Sequence, residues 1–170
     1  MNFIPDQKEA KKVPYFEDAT RSEGWQGYTT TKAINRLKDE VKEAIHRLGG
    51  FVVGFQQGIF QIDGLNRQGF QVHYVVEGRP ARLDIAALPV RDRWSEKKKE
   101  QSLKMALYML AVGLNGAWFM QQLSPGYAPL MPFMLDESGK TVSQLWAESA
   151  TMKNLLPPPD SDFIEAEEVE

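Results

Sequence analysis

The hydrophobic pattern of the chain begins with one amphipathic helix. From Thr30 onward, apolar side chains recur at steps of three and four residues, which is the period of a helix with one buried face. These positions are Ile34, Leu37, Val41, Ala44, Ile45 and Leu48. The threonines at 29–31 offer an N-cap, and the glycines at 49 and 50 are typical of a C-terminal stop. The sequence therefore predicts a helix that ends at this glycine pair.

The next segments alternate between apolar and polar residues, as half-buried strands do. The runs "FVVGF" and "GIFQI" are short, apolar and punctuated by glycine. In "FQVHYVV", Phe70, Val72, Tyr74 and Val76 share one face, and Gln71, His73 and Val75 share the other. A turn signal, "EGRP", precedes "ARLDIAAL", which alternates in the same way. The pattern predicts an antiparallel meander of three or four strands, with helices packed on one apolar face.

The stretch "SEKKKEQSLKMALYMLAVGLNGAWFM" at 95–120 predicts a long helix, capped by Ser95 and ended at Ser124. At 100° per residue it carries two apolar stripes on opposite sides. The first stripe is Leu103, Leu107, Leu110, Leu114 and Trp118, and the second is Met105, Met109, Val112 and Phe119. We expect the sheet to cover one stripe, and either the C-terminal segment or a second subunit to cover the other. The second stripe is therefore a candidate homo-oligomer interface.

The apolar part of this helix also raises the question of a membrane. The run from Met105 to Met120 has 16 residues and contains Asn115 and two glycines. A membrane-spanning helix needs about 20 predominantly apolar residues. We therefore expect no membrane partner.

Taken together, the elements predict an α+β fold in the order α-β-β-β(-β)-α-(β)-α. The bracketed last strand is "APLMPFML", and Thr141 with Gln144 fits a capping box before a final short helix. We expect a flexible, extended N-terminal arm over residues 1–28 and a single domain over 29–156. A proline-rich linker and a disordered acidic tail follow over 157–170.

Composition and charge exclude some kinds of site and indicate where the protein is located. The chain has 170 residues, a formal net charge of −3 and no cysteine, which excludes disulfides and thiolate-bound metals. Residues 159–170 carry six acids and no base, so the rest of the chain is positively charged by about three units. The N-terminus lacks the continuous apolar segment of a secretory signal, and we expect a cytoplasmic protein.

A basic cluster before and within the first turn of the long helix is the strongest functional signal. It consists of Arg91, Arg93, Lys97, Lys98 and Lys99. The helix dipole disfavours cations in this turn, whereas lysines together with free N–H groups suit a bound phosphate. The alternative is an ordinary solvated helix end. On the polar face of the sheet, Gln71, His73 and Arg82 are candidates for supplementary contacts or for an ordinary surface network.

Catalytic interpretations find less support. "SGKT" at 138–141 resembles a phosphate-binding loop, but Met134 stands where that motif requires glycine. Restriction-type nucleases share the helix–strands–helix order, and the candidate acids would be Asp63, Glu77 and Asp84. Asp84 is not followed at the second position by the lysine of that family's motif. The two histidines are 27 residues apart without cysteine, which is poor metal-ligand spacing. We expect no metal or other cofactor and no catalytic residue.

Two kinds of nucleic-acid protein share the layout. "SEKKKEQSLKMAL" is similar to the lysine-rich start of the second helix in double-stranded RNA-binding domains, which run α-β-β-β-α. The long two-faced helix is similar to that of strand-annealing recombination proteins, whose β-β-β-α core assembles into rings. These similarities concern layout alone and identify no family.

The sequence leads to a ranked set of functional hypotheses. The first is a small non-enzymatic accessory protein that binds DNA or RNA through the basic helix start. In that hypothesis the acidic residues 159–170 recruit a protein partner or act as an autoinhibitory element. The alternative is a homo-oligomeric module for protein–protein interaction or assembly. A small enzyme, such as a degenerate restriction-type nuclease, comes last.

Overall fold

The computed structural model describes residues 12–149, which form an α+β fold. Two short 3-10 helices, Phe16–Asp18 and Arg21–Glu23, precede the helices α1 (Ile34–Arg47) and α2 (Glu96–Leu123). Between these helices lie the strands β1 (Gly50–Ile62), β2 (Leu65–Val76) and β3 (Arg79–Ala86). A 3-10 helix at Met131–Phe133 and helix α3 (Val142–Glu148) follow. The first 11 residues of the predicted arm and residues 150–170, with the linker and acidic tail, lie outside the described residues.

The sheet contains three antiparallel strands in the order β1-β2-β3. The runs "FVVGF" and "GIFQI" form one continuous strand of 13 residues, so the fourth strand allowed by the sequence does not form. β1 pairs with β2 along its whole length, and a bulge between Val52 and Gly54 shifts the register. One long strand paired along its whole length makes more backbone hydrogen bonds with its neighbour than two short strands would. Gly54 and Gly58 therefore do not interrupt β1.

Two-residue turns connect the strands. Asp63 and Gly64 have φ angles of 51° and 76°, and Glu77 and Gly78 have φ angles of 51° and 72°. Positive φ at both central residues defines the type I′ hairpin, whose twist matches that of the flanking strands. These turns fix the register that puts Phe70, Val72 and Tyr74 on one face.

Both long helices pack on that face and form the core. α1 lies against β1, and α2 lies against β2 and β3. The core is built from the predicted positions: Leu37, Val41 and Ile45 of α1, Leu103, Leu107 and Leu114 of α2, and Phe70, Val72 and Tyr74 of β2. The periodicities therefore predicted both the faces of the sheet and the first stripe of α2 correctly. Neither long helix packs on the opposite face of the sheet.

Local signals at the helix ends are mostly confirmed. The Ser95 hydroxyl accepts a hydrogen bond from the Lys98 amide at 3.3 Å, and α2 ends at Leu123 as predicted. Thr141 and Gln144 form the predicted capping box. The prediction for α1 is wrong at its start, because the N-cap is Ala33, whose side chain makes no capping hydrogen bond.

The segment "APLMPFML" does not form a strand. Its middle is the 3-10 helix Met131–Phe133, where Pro132 lacks an amide donor. Its end makes two isolated bridges, from Met134 to Ala81 of β3 and from Leu135 to Thr141. The Leu135 amide donates a hydrogen bond to the Pro80 carbonyl at 2.9 Å. This segment therefore covers the outer edge of β3 at its start.

The segment just before α1 contacts α2 beside the first half of the second stripe. Gln101 of α2 donates a hydrogen bond to the Thr30 carbonyl at 3.1 Å, and the Lys32 ammonium lies 5.6 Å from the ring of Tyr108. Met105 sits between Gln101 and Tyr108 on the same helical face and is 1% exposed. Met105 is therefore already buried within one chain, and cover of the stripe by the C-terminal segment or a second subunit stays a prediction.

The second half of that stripe is open to solvent within the described structure. Met109 is half-buried, whereas Val112 is 43% exposed and Phe119 is 55% exposed. The Arg47 guanidinium lies 3.7 Å from the ring of Trp118 and 5.4 Å from that of Phe119. The second stripe therefore ends at Phe119, whose ring packs against Trp118 of the first stripe, and its role as an oligomer interface stays a prediction.

Helix α2 is long and apolar enough to cross a membrane by length and composition, and it is the one such helix among residues 12–149. It spans 28 residues, so the 16-residue apolar run underestimates its length and does not by itself exclude a span. Core helices of soluble proteins have the same properties, and Leu103, Leu107 and Leu114 are buried in the core. The expectation of no membrane partner stays a prediction.

Candidate functional site

The N-terminal arm neutralises one part of the basic cluster. The Arg91 guanidinium forms an ion pair with Asp18, and the Lys98 ammonium lies 3.8 Å from the Glu17 carboxylate. The Glu17 carboxylate also accepts hydrogen bonds from the backbone amides of Arg91 and Asp92, at 3.0 and 3.1 Å. Arg91 and Lys98 are therefore engaged by acids that the sequence places more than 70 residues away.

Glu17 is held in its ionised form. Partial burial raises the pKa of its carboxyl group, but the amide hydrogen bonds from Arg91 and Asp92 and the nearby Lys98 charge outweigh that effect. The pKa of Glu17 lies below its ordinary value as a result. At neutral pH the carboxylate therefore holds the arm against the segment that leads into α2.

The other part of the cluster faces solvent. Arg93 and Lys97 are exposed, and neither forms an ion pair with another residue of the 12–149 range. Lys99 pairs with Glu96 at 3.3 Å, but the Glu96 side chain is 84% exposed and such a pair contributes little. Three cations therefore surround the start of α2 and remain accessible to an anion.

Beside these cations lies a groove of about 460 Å³, between the β1–β2 hairpin and the segment that connects β3 to α2. Its lining includes Ile59, Leu65, Gln68, Arg93, Trp94 and Lys99. Trp94 is 85% exposed, and Ile59 is 66% exposed. An indole left in water forgoes the stabilisation that burial of a large aromatic surface provides. The groove therefore presents a flat apolar surface next to accessible cations.

Two sets of hydrogen bonds hold the wall of this groove in place. The buried Ser102 hydroxyl donates to the Leu88 carbonyl at 2.8 Å, which fixes the connecting segment to α2. The Arg67 guanidinium donates to the carbonyls of Ala87 and Ala86 at 2.8 and 2.9 Å, which fixes the same segment to β2. Burial lowers the pKa of Arg67, but an arginine side chain remains charged in a protein. The start of the segment that leads to Trp94 is thus held by α2 on one side and β2 on the other.

The sheet-face candidates lie away from this groove. His73 is paired in register with Arg82, and Gln71 with Asp84, on the face opposite the helices. The Arg82 guanidinium donates to the Asp84 carboxylate at 3.0 Å and to the Gly139 carbonyl at 3.1 Å. These bonds join β3 to the loop before α3. The structure therefore does not bring Gln71, His73 and Arg82 together with the basic cluster.

The acids of the nuclease alternative are dispersed. Asp63 and Glu77 occupy the turns at opposite ends of the 12-residue strand β2, about 40 Å apart along the strand, and cannot share a metal ion. Asp84 is paired with Arg82. Among residues 12–149, no group of three or more histidines and carboxylates could hold a metal ion. The geometry gives this alternative no support.

The "SGKT" stretch forms a turn, as the departure from the phosphate-loop motif predicts. The Asp136 carboxylate accepts hydrogen bonds from the amides of Ser138 and Lys140, both at 2.9 Å. The Lys140 ammonium lies 2.7 Å from the Glu148 carboxylate of α3. Lys140 therefore stabilises the short final helix and does not point at an empty phosphate site.

Sequence reasoning missed two parts of the site. Trp94 was not predicted, although a tryptophan inside the charged run "RDRWSEKKK" is itself a signal, because a large aromatic among charges has little chance of burial. The acids Glu17 and Asp18 gave no signal, because their partners are distant in the sequence.

Comparisons of the chain with protein-family models, with curated proteins and with solved structures found no match.

Proposed function

We propose that this protein is a non-enzymatic nucleic-acid-binding accessory protein, and that the groove at the start of α2 is its contact surface. The observation that carries the proposal is the groove that is lined by the 85%-exposed Trp94 together with Arg93 and Lys99, with the exposed Lys97 nearby in the first turn of α2. Arg93, Lys97 and Lys99 contact phosphates, and the indole of Trp94 stacks on a base. Arg91 and Lys98 contribute less, because Asp18 and Glu17 already neutralise them.

The chemistry favours a single strand over a duplex. Base stacking on an exposed aromatic ring is worth about 1–3 kcal/mol, and it needs a base that is not already stacked in a helix. Phosphate contacts from lysine and arginine position the strand without reading its sequence. The predicted ligand is therefore a single-stranded nucleic acid, bound with little sequence preference and with strong dependence on salt.

The acidic residues 159–170 complete the proposal, although they lie outside the described residues. Six carboxylates without a base can compete with phosphates for the same cations. Deletion of residues 159–170 is therefore expected to strengthen binding at low salt. Unchanged binding after the deletion would leave the tail with its other proposed role, recruitment of a protein partner.

The test is fluorescence anisotropy with labelled single- and double-stranded DNA and RNA oligonucleotides over a range of salt concentrations. The double variant Arg93→Glu/Lys97→Glu is expected to weaken single-strand binding and to lower the salt slope by about 1.4, since each phosphate contact contributes about 0.7. Trp94→Ala is expected to weaken binding about 5- to 150-fold without changing the salt slope, because it removes stacking alone.

The matched control is Arg36→Glu/Lys42→Glu on α1, which makes the same change in net charge away from the groove. The side chains of Arg36 and Lys42 are 68% and 51% exposed, so their replacement leaves the core intact. Equal losses in both double variants would show that net charge alone drives binding. Absence of binding to any of these nucleic acids at low salt would overturn the proposal.

A further inference from the structure

β1 is an open sheet edge of unusual composition. It forms one edge of the sheet, and within residues 12–149 its outer side pairs with no other strand. Its 13 residues include no charge and no proline, and Phe51, Val53 and Ile59 are each about two-thirds exposed. Soluble proteins usually protect such edges with charges, prolines or short strands, because unpaired amides and carbonyls bind further strands.

The opposite edge has this protection. β3 has only 8 residues, it begins with Arg79 and Pro80, and the Pro80 carbonyl already accepts the Leu135 amide. The Arg82 guanidinium ties the same edge to the Gly139 carbonyl. The fold therefore closes one edge of the sheet and leaves the longer one available.

We propose that β1 pairs with β1 of a second copy of this chain, in an antiparallel and two-fold symmetric dimer with a continuous six-stranded sheet. The absence of charge favours an uncharged partner strand, and β1 is the only strand of the three without a charged residue. Because Leu135 and Met134 already occupy the start of the β3 edge at Pro80 and Ala81, head-to-tail pairing of β1 with β3 is disfavoured. The assembly therefore closes as a dimer and does not extend into a filament.

The side chains of β1 suit pairing with themselves. A two-fold axis near Gln57 places Phe55 opposite Ile59 and Gly54 opposite Phe60, and the partners in each pair lie on one face. The chain already packs Phe60 over a glycine, since a Cβ atom on Gly69 would lie 2.6 Å from the Phe60 ring. In the dimer, Phe60 would meet a second glycine from the partner strand, and the central glutamines could exchange amide hydrogen bonds.

The size of the contact predicts a reversible dimer. An interface of standard size uses about 20–30 residues from each partner, so the strand alone supplies roughly half. A contact of this size is small for a stable dimer. The monomer and the dimer are therefore expected to interconvert with protein concentration.

The test is sedimentation velocity of the full chain, without nucleic acid, at protein concentrations from about 1 to 100 μM. Gln57→Lys and Gln57→Glu each place like charges against each other at the axis and are expected to weaken the dimer by about fivefold. An equimolar mixture of the two variants is expected to restore association as a heterodimer. If both single variants associate more weakly and their mixture does not regain association, the two-fold pairing is overturned.

The control is Phe119→Lys, which places a lysine on the exposed second stripe of α2. It is expected to leave the dimer unchanged, and loss of association in this variant alone would move the interface to α2.

Hydrogen exchange on the full chain tests whether the chain's own termini cover the outer edge of β1. Protection of β1 amides is expected to rise with protein concentration, whereas protection that is independent of concentration in a strict monomer would overturn the proposal. Neither readout involves nucleic acid, so the dimer and the proposed function can fail separately.

Discussion

Tyr74 buries a hydroxyl group without a partner, and its removal is expected to stabilise the fold. Tyr74 is 1% exposed in the centre of β2, and its hydroxyl forms no hydrogen bond with any described residue. Burial raises the pKa of Tyr74 well above its ordinary value, so the phenol stays neutral. An unsatisfied buried hydroxyl costs about 1–3 kcal/mol. Tyr74→Phe removes that cost and leaves the ring in place.

The gain is reduced by the small void that the oxygen leaves. At about 24 cal/mol per Å³, a void of roughly 15 Å³ costs about 0.4 kcal/mol, so the net gain is about 1 kcal/mol. This corresponds to a rise in Tm of about 2–4 °C for a chain of this size. Urea unfolding followed by circular dichroism measures the change, with an unchanged m-value.

Tyr127→Phe is the control, because Tyr127 is 42% exposed and its hydroxyl already reaches water. No change is expected there. A loss of 1 kcal/mol or more in Tyr74→Phe would refute the reasoning. It would mean that the hydroxyl has a partner, either a buried water or a residue outside the 12–149 range.

Two further predictions concern the docking of the N-terminal arm. Because the pKa of Glu17 is lowered on folding, its stabilising effect is fully present above its unfolded pKa of about 4.5 and is lost as pH falls through the lower, folded value. The Tm difference between the native chain and Glu17→Gln is therefore expected to be constant at neutral pH and to vanish in acid; a difference that persists in acid would contradict this. Gly27→Ala should destabilise the arm by about 1–3 kcal/mol, because φ is +80° and the new Cβ would lie 2.6 Å from the Tyr108 side chain. Gly24→Ala is the control, since its φ is also positive but no atom lies within 4 Å. Equal losses of Tm in both glycine variants would show that backbone strain alone is responsible.

Local periodicity was sufficient to predict most of this fold. A window of about ten residues is enough to show which face of an element is buried. This is true of the alternation around Phe70, Val72 and Tyr74 and of the helical spacing from Leu37 to Ile45. The caps at Ser95 and Thr141 are local for the same reason, since each bonds an amide three residues away. The class, the element order and the first stripe of α2 followed from these signals.

Local patterns could not predict contacts between segments that are distant in the sequence. The pairing of Glu17 with the Arg91 amide joins residues 74 positions apart, and no local pattern marks either partner. The same limit applies to the hydrogen bond between Gln101 and the Thr30 carbonyl. The basic cluster was recognised from its composition, but its division into neutralised and accessible parts depends on where the arm lies.

The two proposed surfaces meet on β1. Ile59 lines the groove, and it lies two residues from the proposed axis at Gln57. At about 3.4 Å per residue, the two copies of Ile59 in the dimer would be about 14 Å apart along the strands. Because both long helices lie on one face of each sheet and the two-fold axis is perpendicular to it, both grooves would open on that same face. A single-stranded nucleic acid long enough to reach both grooves would meet six accessible cations instead of three. Dimerisation would therefore raise both the affinity for long oligonucleotides and the salt dependence of binding. An exposed, uncharged β1 edge beside a cationic groove is thus consistent with one arrangement, in which self-pairing of the sheet builds a longer binding surface than either chain has alone.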